Sequence, residues 1–309
     1  MKKRVLFMGT PDFAVSLLQV LIDADIDLVA VISQPDKPVG RKQVLMPTPV
    51  KKLALDHHIP VYQPIKIKEL TQFIGELNLD LIVTCAYGQF IPMAILEAPR
   101  SGSVNVHASL LPKYRGGAPI HRALISGDHE SGVTLMRMVN QMDAGDVLAK
   151  VIVPITEDDD VGSLHDKLKG AGALLLSINL SALLSNKLQG IAQDETQVSF
   201  AYNISPDDEF VSFKRNVSIV YDHIRGLSPW PVGYGLIEGK KLKLIKAFKI
   251  IEDHHDPIGQ FVAYEKGLKI ACDGGYVVVT QCQAEGKEKM EASAFYNGLG
   301  KSFLNRNFK

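Results

Sequence analysis

Up to about residue 184 the sequence alternates between two kinds of segment. Short apolar runs at Arg4–Met8, Leu28–Ile32 and Leu81–Ala86 are separated by stretches in which apolar residues recur at helical spacing, as at 14, 17, 18, 21 and 22. Unbroken apolar runs too short for helices read as strands buried on both faces. Their alternation with helices predicts an α/β architecture: a Rossmann-like, mostly parallel sheet with helices on both faces. Val61-Tyr62, Val133–Met138 and Val147–Val153 are read as further strands. Lys66–Leu77 and Ile120–Ile125 are read as helices. Gly162–Leu184 carries a long apolar stripe that closes the domain. A composition shift near Gly190 ends this pattern, so the first domain is placed at residues 1–190. The polar, turn-rich residues 191–208 read as a linker. From Phe210 helical periods largely disappear, apart from one helix near Ser218–Gly226. Short apolar runs separated by Gly, Asp and Pro turns follow. That pattern predicts a small C-terminal β-barrel at residues 209–309, five-stranded and OB-fold-like. A chain of 309 residues suits two such domains.

Composition excludes several classes of function. Thirty-four basic and 34 acidic residues give zero net charge, so nucleic acid must be met by local patches rather than a global field. Three cysteines without close spacing point to a reducing compartment, and Cys85 within Leu81–Ala86 reads as a core thiol. There is no Cys-x-x-Cys and no His-Glu-x-x-His, so no metal site is predicted. His254-His255 reads as part of a polar loop. A nucleophile elbow is absent, and Gly9 alone does not make a dinucleotide fingerprint. After the basic start, only Val5–Met8 precedes Gly9, too short for a signal peptide. No unbroken run approaches a membrane span. The expectation is a cytoplasmic monomer with no membrane association.

The stretch Ser103–Arg122, SVNVHASLLPKYRGGAPIHR, concentrates the chemistry. Ser103–His107 alternates as a strand, so Asn105 and His107 share one face. Alone, such a pair is compatible with a capped strand end. Here a loop with two glycines, a proline and charged residues follows at once. In open parallel sheets ligands bind outside the carboxyl ends of strands. Tyr87–Pro92 follows another strand at the same sheet edge, where Tyr87 and Phe90 fit either packing or a pocket wall.

Asn105–Pro112 resembles the signature of the folate-dependent formyltransferases. Met142-Asp143-Ala144-Gly145-Asp146-Val147 is similar to the family's second motif. Phe7–Ala14 and Gln34–Arg41 resemble the branch whose acceptor is methionine carried by initiator tRNA. The four motifs stand in the family's order, and the likeness runs along essentially the whole chain. It implies transfer of a formyl group from 10-formyltetrahydrofolate, a cosubstrate, to the amino group of initiator methionyl-tRNA. It assigns Asn105, His107 and Asp143 as the catalytic trio, with Asp146 as the alternative carboxylate. It assigns Ser109, Leu110, Leu111 and Pro112 to folate contact. The proline-rich basic loop Ser33–Pro49 is implied to enter the tRNA acceptor arm, with Arg41 its principal contact, and the barrel to bind tRNA. Lys240, Lys241, Lys243, Lys246 and Lys249 fit either RNA contact or a solvated strand face. From Ile204 onward 15 basic residues meet 13 acidic ones, so charge alone does not separate the two. The alternatives are a formyltransferase for a small amine, such as glycinamide ribonucleotide or an amino sugar nucleotide, and a non-catalytic RNA-binding protein.

Overall fold

The structure, a computed structural model, describes residues 1–40 and 43–309, and of Val39 the backbone only. The chain forms two compact units. The first comprises Met1–Gly116, Ser131–Val153 and His165–Phe200; the second comprises Gly117–Glu130, Pro154–Leu164 and Ala201–Lys309. In chain order the elements of the first half are β1 (Arg4–Gly9), α1 (Asp12–Asp23), β2 (Asp27–Ile32), β3 (Lys37–Val39), β4 (Val44–Met46), α2 (Pro49–Asp56), β5 (Val61–Tyr62), α3 (Thr71–Glu76), β6 (Leu81–Cys85), α4 (Met93–Leu96), β7 (Ser103–His107), α5 (Pro119–Ile125), β8 (Glu130–Arg137), β9 (Val147–Pro154) and α6 (Val161–Leu184). Seven strands form one sheet in the order β5-β2-β1-β6-β7-β8-β9. β5, β2, β1, β6 and β7 are parallel neighbours, and β8 runs antiparallel to β7. The direction of winding reverses between β1 and β6, the kind of switch point where open sheets bind ligands.

Strand register decides which side chains reach the site. Leu6, Met8 and Ile82 share a core with Ile74, Ile91, Ile95 and Leu96. Ile82 aligns with Ser103 and Thr84 with Asn105, so Ser103, Asn105 and His107 emerge on that face. On the opposite face α6 approaches closely. A Cβ at Gly172 would stand 3.4 Å from Val106 Cγ1 and 3.6 Å from Val133 Cγ1. Among the described residues α6 is the one helix long and apolar enough to cross a membrane. Lys167 and Lys169 interrupt it, which is why no unbroken run shows in the sequence. Its Leu168, Leu175, Leu176, Leu180 and Leu183 are buried in one stripe, as in a helix packed on a sheet.

Two segments differ from the sequence reading. The region read as Lys66–Leu77 helix is a 3-10 turn, Ile67–Leu70, followed by the short α3. The proline-rich loop is not merely extended. It contains a hairpin, with Lys37 opposite Met46 and Pro38 opposite Leu45, and then α2. Proline is compatible with edge strands, and Pro49 sits in the first turn of α2, where its missing N–H costs nothing. Thr48 caps that helix, its side chain accepting from Lys51 N at 3.2 Å. The hairpin's base is tied together by Ser33 Oγ to Thr48 Oγ1 at 2.7 Å, Lys51 Nζ to Asp36 at 2.6 Å and Gln63 Nε2 to Asp36 at 2.7 Å. Gln63 and Lys51 thereby hold the Asp36 carboxyl below the usual carboxylate range.

The second unit contains α5, α7 (Val217–Arg225), β10 (Tyr234–Ile237), β11 (Lys240–Ile251), β12 (Phe261–Tyr264), β13 (Leu268–Cys272), β14 (Gly275–Ala284), β15 (Met290–Glu291) and α8 (Ala292–Asn297). Five strands form an antiparallel sheet in the order β10-β11-β14-β13-β12, and β15 adds to β14, giving a half-barrel. The two edge strands are joined by the chain's last residues. Asn307 bridges Gln260, before β12, and Phe308 bridges Ile237 in β10. Phe308 N donates to Gly259 O at 2.7 Å and Lys309 N to Leu236 O at 2.8 Å. The Phe308 ring is buried against Phe213, 5.1 Å between centroids. Residues 191–208, read as a linker, are divided between the units: 191–200 belongs to the first and 201–208 to the second.

Candidate active site

The site is built at the carboxyl end of β7. Asn105 Oδ1 accepts the Thr84 hydroxyl at 2.8 Å, and Thr84 also lies 3.1 Å from Met138 Sδ. The same hydroxyl lies 3.1 Å from Val104 O; with Oδ1 taken by Thr84 at the shorter distance, Nδ2 is the end left to donate. His107 is 7% exposed, and its Nε2 lies 2.9 Å from Tyr114 O. A carbonyl can only accept, so Nε2 carries the proton and Nδ1 is the nitrogen available for proton exchange. Nδ1 faces Asp143 Oδ2 at 3.7 Å, within ion-pair range but longer than a hydrogen bond. Catalytic contacts of this kind commonly tighten when substrate binds. Asp143 Oδ2 also accepts Gly116 N at 2.9 Å.

The turn that presents Asp143 has a demanding backbone. Asp143 itself has φ +50°, and Gly145 has no room for a side chain, since a Cβ there would meet Arg137 O at 2.0 Å. Asp146, the alternative carboxylate, is not brought to His107. It is exposed beside Gly190, where an added Cβ would stand 2.9 Å from its Oδ2.

Ser109–Pro112 is divided in its exposure. Ser109 and Leu111 are buried and used by the fold. Ser109 Oγ donates to Lys113 O at 2.7 Å, Thr134 Oγ1 donates to Ser109 O at 2.6 Å, and Lys150 Nζ donates to Leu111 O. Leu110 and Pro112 remain half-buried. Tyr87 packs in the core with Leu6 and Met8, and burial pushes its phenol up to about 12; Phe90 is 66% exposed. Burial likewise pushes the Cys85 thiol up to about 12, as for an inert core thiol. Arg41 lies outside the described residues.

An open cavity of about 520 Å³ lies at the Ser103 end of the same strand face, with Met93, Leu96, Ser103, Arg137 and Met138 in its walls. Burial lowers the Arg137 guanidinium from its ordinary value, opposed by the charge of Asp146. Met138 thus touches both the cavity and the Thr84 hydroxyl that orients Asn105. Among the described residues one His/Asp group is tight enough for a cation, Asp12, His165 and Asp166. The Lys169 ammonium already sits there, 2.7 Å from Asp12 and 3.3 Å from Asp166.

Sequence reasoning missed Thr84, Arg115 and Gln193. Arg115 is 1% exposed, with its guanidinium on Gln193 and Glu195, and Gln193 donates to the Asp143 turn. Thr84 could have been found, because it is the hydroxyl residue in the apolar strand that pairs with β7, directly opposite Asn105. Gln193 carries no local signal, being brought in from a polar segment far along the chain.

The arrangement offers an amide donor and an imidazole with one free nitrogen on the end of β7, and a carboxylate brought to them by the turn between β8 and β9. The formyl transferase family matches residues 1–178, and the formyl transferase C-terminal domain family matches residues 203–300. The methionyl-tRNA formyltransferase of Staphylococcus epidermidis is 44% identical over 307 residues, 98% of each chain. That of Halalkalibacterium halodurans is 47% identical over 301 residues, 96% of this chain and 95% of its own. That of Bacillus mycoides is 48% identical over 300 residues, with the same two coverages, 96% and 95%. An N-formyltransferase from Helicobacter canadensis, solved with folinic acid and dTDP-3-aminofucose, shares the fold at a TM-score of 0.71 and 23% identity, over 92% of this chain and 100% of its own. HypX from Aquifex aeolicus, solved with tetrahydrofolic acid, has a TM-score of 0.67 at 16% identity, over 99% of this chain and 49% of its own. A strand end carrying Asn105 and His107, with Asp143 brought to the same imidazole, therefore lies within a chain that belongs to the formyl transferase family.

Proposed function

We propose that this chain transfers a formyl group from 10-formyltetrahydrofolate to the amino group of methionine on initiator tRNA, the reaction that prepares the first residue of translation. The observation that carries the reading is the likeness of nearly the whole chain to methionyl-tRNA formyltransferases. The trio's geometry supports the chemistry. During transfer the formyl oxygen gains negative charge, the amine loses a proton and the departing nitrogen gains one. Asn105 Nδ2, oriented by Thr84, donates to the oxygen, a role worth about 10²–10³ in rate where such donors have been removed. His107 Nδ1 takes and returns the proton, with Nε2 held by Tyr114 O. Asp143 stabilises the ring while it is charged.

The donor is a substrate of the reaction, and it is expected at the carboxyl end of β7, where Asn105 and His107 stand. Leu110 and Pro112, still half-exposed, are the members of the Ser109–Pro112 segment we retain as donor contacts. The hairpin β3–β4, tied at its base and exposing Val44, Leu45 and Met46, is assigned with Arg41 to the acceptor tRNA. In the second unit three of the five clustered lysines are engaged. Lys249 pairs with Glu157 at 2.8 Å, Lys241 lies over the Tyr234 ring and Lys243 donates to Pro231 O. Lys240 and Lys246, both exposed, remain for RNA. An acceptor of this kind places the protein in the cytoplasm.

The deciding experiment supplies labelled 10-formyltetrahydrofolate with charged initiator tRNA, glycinamide ribonucleotide or an amino sugar nucleotide in parallel. Label on methionyl-tRNA alone is expected. Label on a small amine, with none on tRNA, would replace this reading with the small-amine one.

A further inference from the structure

Resting on the formyl-transfer reading for what Asp143 does, we infer that Gln193 is the positioning residue of the catalytic carboxylate. The segment 191–199 is thereby a working part of the site rather than a connection. Asp143 has φ +50°, a conformation that a side-chain-bearing residue keeps only where its surroundings hold it. Gln193 supplies that hold. Its Nε2 donates to Asp143 O at 2.8 Å and to Gly145 O at 2.8 Å, so one amide spans the turn on both sides of Ala144.

The amide must face this way. Reversed, its oxygen would stand against two carbonyl oxygens. Arg115 excludes the reversal by placing Nε at 3.1 Å and Nη2 at 2.9 Å from Gln193 Oε1. The remaining donors of this fully buried guanidinium go to Glu195, Nη2 at 2.7 Å and Nη1 at 3.3 Å. A buried charge needs such partners, and a planar guanidinium meets amide and carboxylate together.

The same segment holds the other half of the site. Ser199 Oγ accepts Tyr114 N at 3.0 Å and Ser199 O accepts Arg115 N at 2.9 Å. Tyr114 O in turn holds His107 Nε2. Residues 193–199 therefore brace both the loop on the imidazole and the turn that carries the carboxylate. The His107–Asp143 separation is set between them.

Gln193→Glu tests this. Glutamate keeps an acceptor for Arg115, so the brace stays anchored, but it offers no N–H to Asp143 O and Gly145 O. In the full-length protein turnover on charged initiator tRNA is expected to fall about 10–100-fold. KM for donor and tRNA should stay within a factor of about two. Gln193→Ala should lose turnover similarly. A purely structural brace predicts instead that both variants lose melting temperature while turnover per folded molecule stays near wild type. A second measurement needs no activity. The Gly116 amide, held by Asp143 Oδ2, should exchange with deuterium at least ~10-fold faster in Gln193→Glu. Unchanged Gly116 exchange, or wild-type turnover in Gln193→Glu, would overturn the assignment. A wild-type chain that formylates nothing would instead remove the formyl-transfer reading, leaving the exchange result to decide the positioning.

Discussion

At the scale of single residues, the site divides the work between charge transfer and orientation. His107→Ala removes the proton carrier and should lower turnover by about 10²–10⁴ while the fold is retained, as steady-state kinetics beside circular dichroism would record. Asn105→Ala should lose rate through the oxygen it stabilises, with donor affinity kept. Loss of donor affinity at unchanged turnover would make Asn105 a binding residue instead. Arg41 separates the tRNA reading from the small-amine one. A planar guanidinium meets a phosphate or base edge with two parallel bonds that an ammonium does not reproduce. Arg41→Lys should therefore be damaged nearly as much as Arg41→Ala, by roughly 1–3 kcal/mol in kcat/KM for charged tRNA, with donor affinity unchanged. Equal rates for Arg41→Ala and wild type would remove the loop from the acceptor site.

At the scale of elements, much of the first unit is legible in the chain, because buried strands and amphipathic helices leave different periodicities. Asn105 and His107 could be paired on one face from alternation alone, and the resemblance supplied Asp143. What stayed hidden depends on partners distant in sequence. Pro35, Pro38, Pro47 and Pro49 signal an absence of helix, but only the cross-strand pairing of Pro38 with Leu45 makes a hairpin. Residues 191–200 look like a linker because their polar side chains have no periodicity. Their order comes from Arg115, some 80 residues earlier. In the second unit the strands were visible, but the joining of their edges by Phe308 was not, since Asn307-Phe308-Lys309 is too short to show a strand pattern. Phe308→Ala should cost about 3–5 kcal/mol, because a buried aromatic ring leaves a cavity beside Phe213 and Gly235. Denaturant unfolding followed by circular dichroism measures it, and a loss below ~1 kcal/mol would mean the tail is ornamental to the half-barrel.

At the scale of the whole molecule, zero net charge hides carboxylates committed to specific partners. Gln63 and Lys51 hold down the Asp36 carboxyl, the Arg4 backbone N–H that of Asp80, and the Arg122 guanidinium that of Asp208. A carboxyl whose folded value is depressed contributes stability above its unfolded value, about 3.9 for Asp. That contribution is lost as pH falls through the folded value. Asp208 receives two bonds from Arg122, at 2.9 and 3.0 Å. Asp208→Asn should therefore melt below wild type at neutral pH, and the gap should close steadily from about pH 4 downward. A gap that persists unchanged at pH 2 would show that charge is not what Asp208 contributes.

The stitching of β10 to β12 by Asn307–Lys309 also turns the protein into its own timekeeper. A protease needs its substrate strand free and extended. Here Lys309 N and Phe308 N are both bonded across to other strands. Cleavage beside Phe308 can then proceed only while the seam is open, so at excess enzyme its rate counts openings directly. RNA lodged on the second unit should slow that clock, while a donor molecule at the carboxyl end of β7 should leave it running at the same pace.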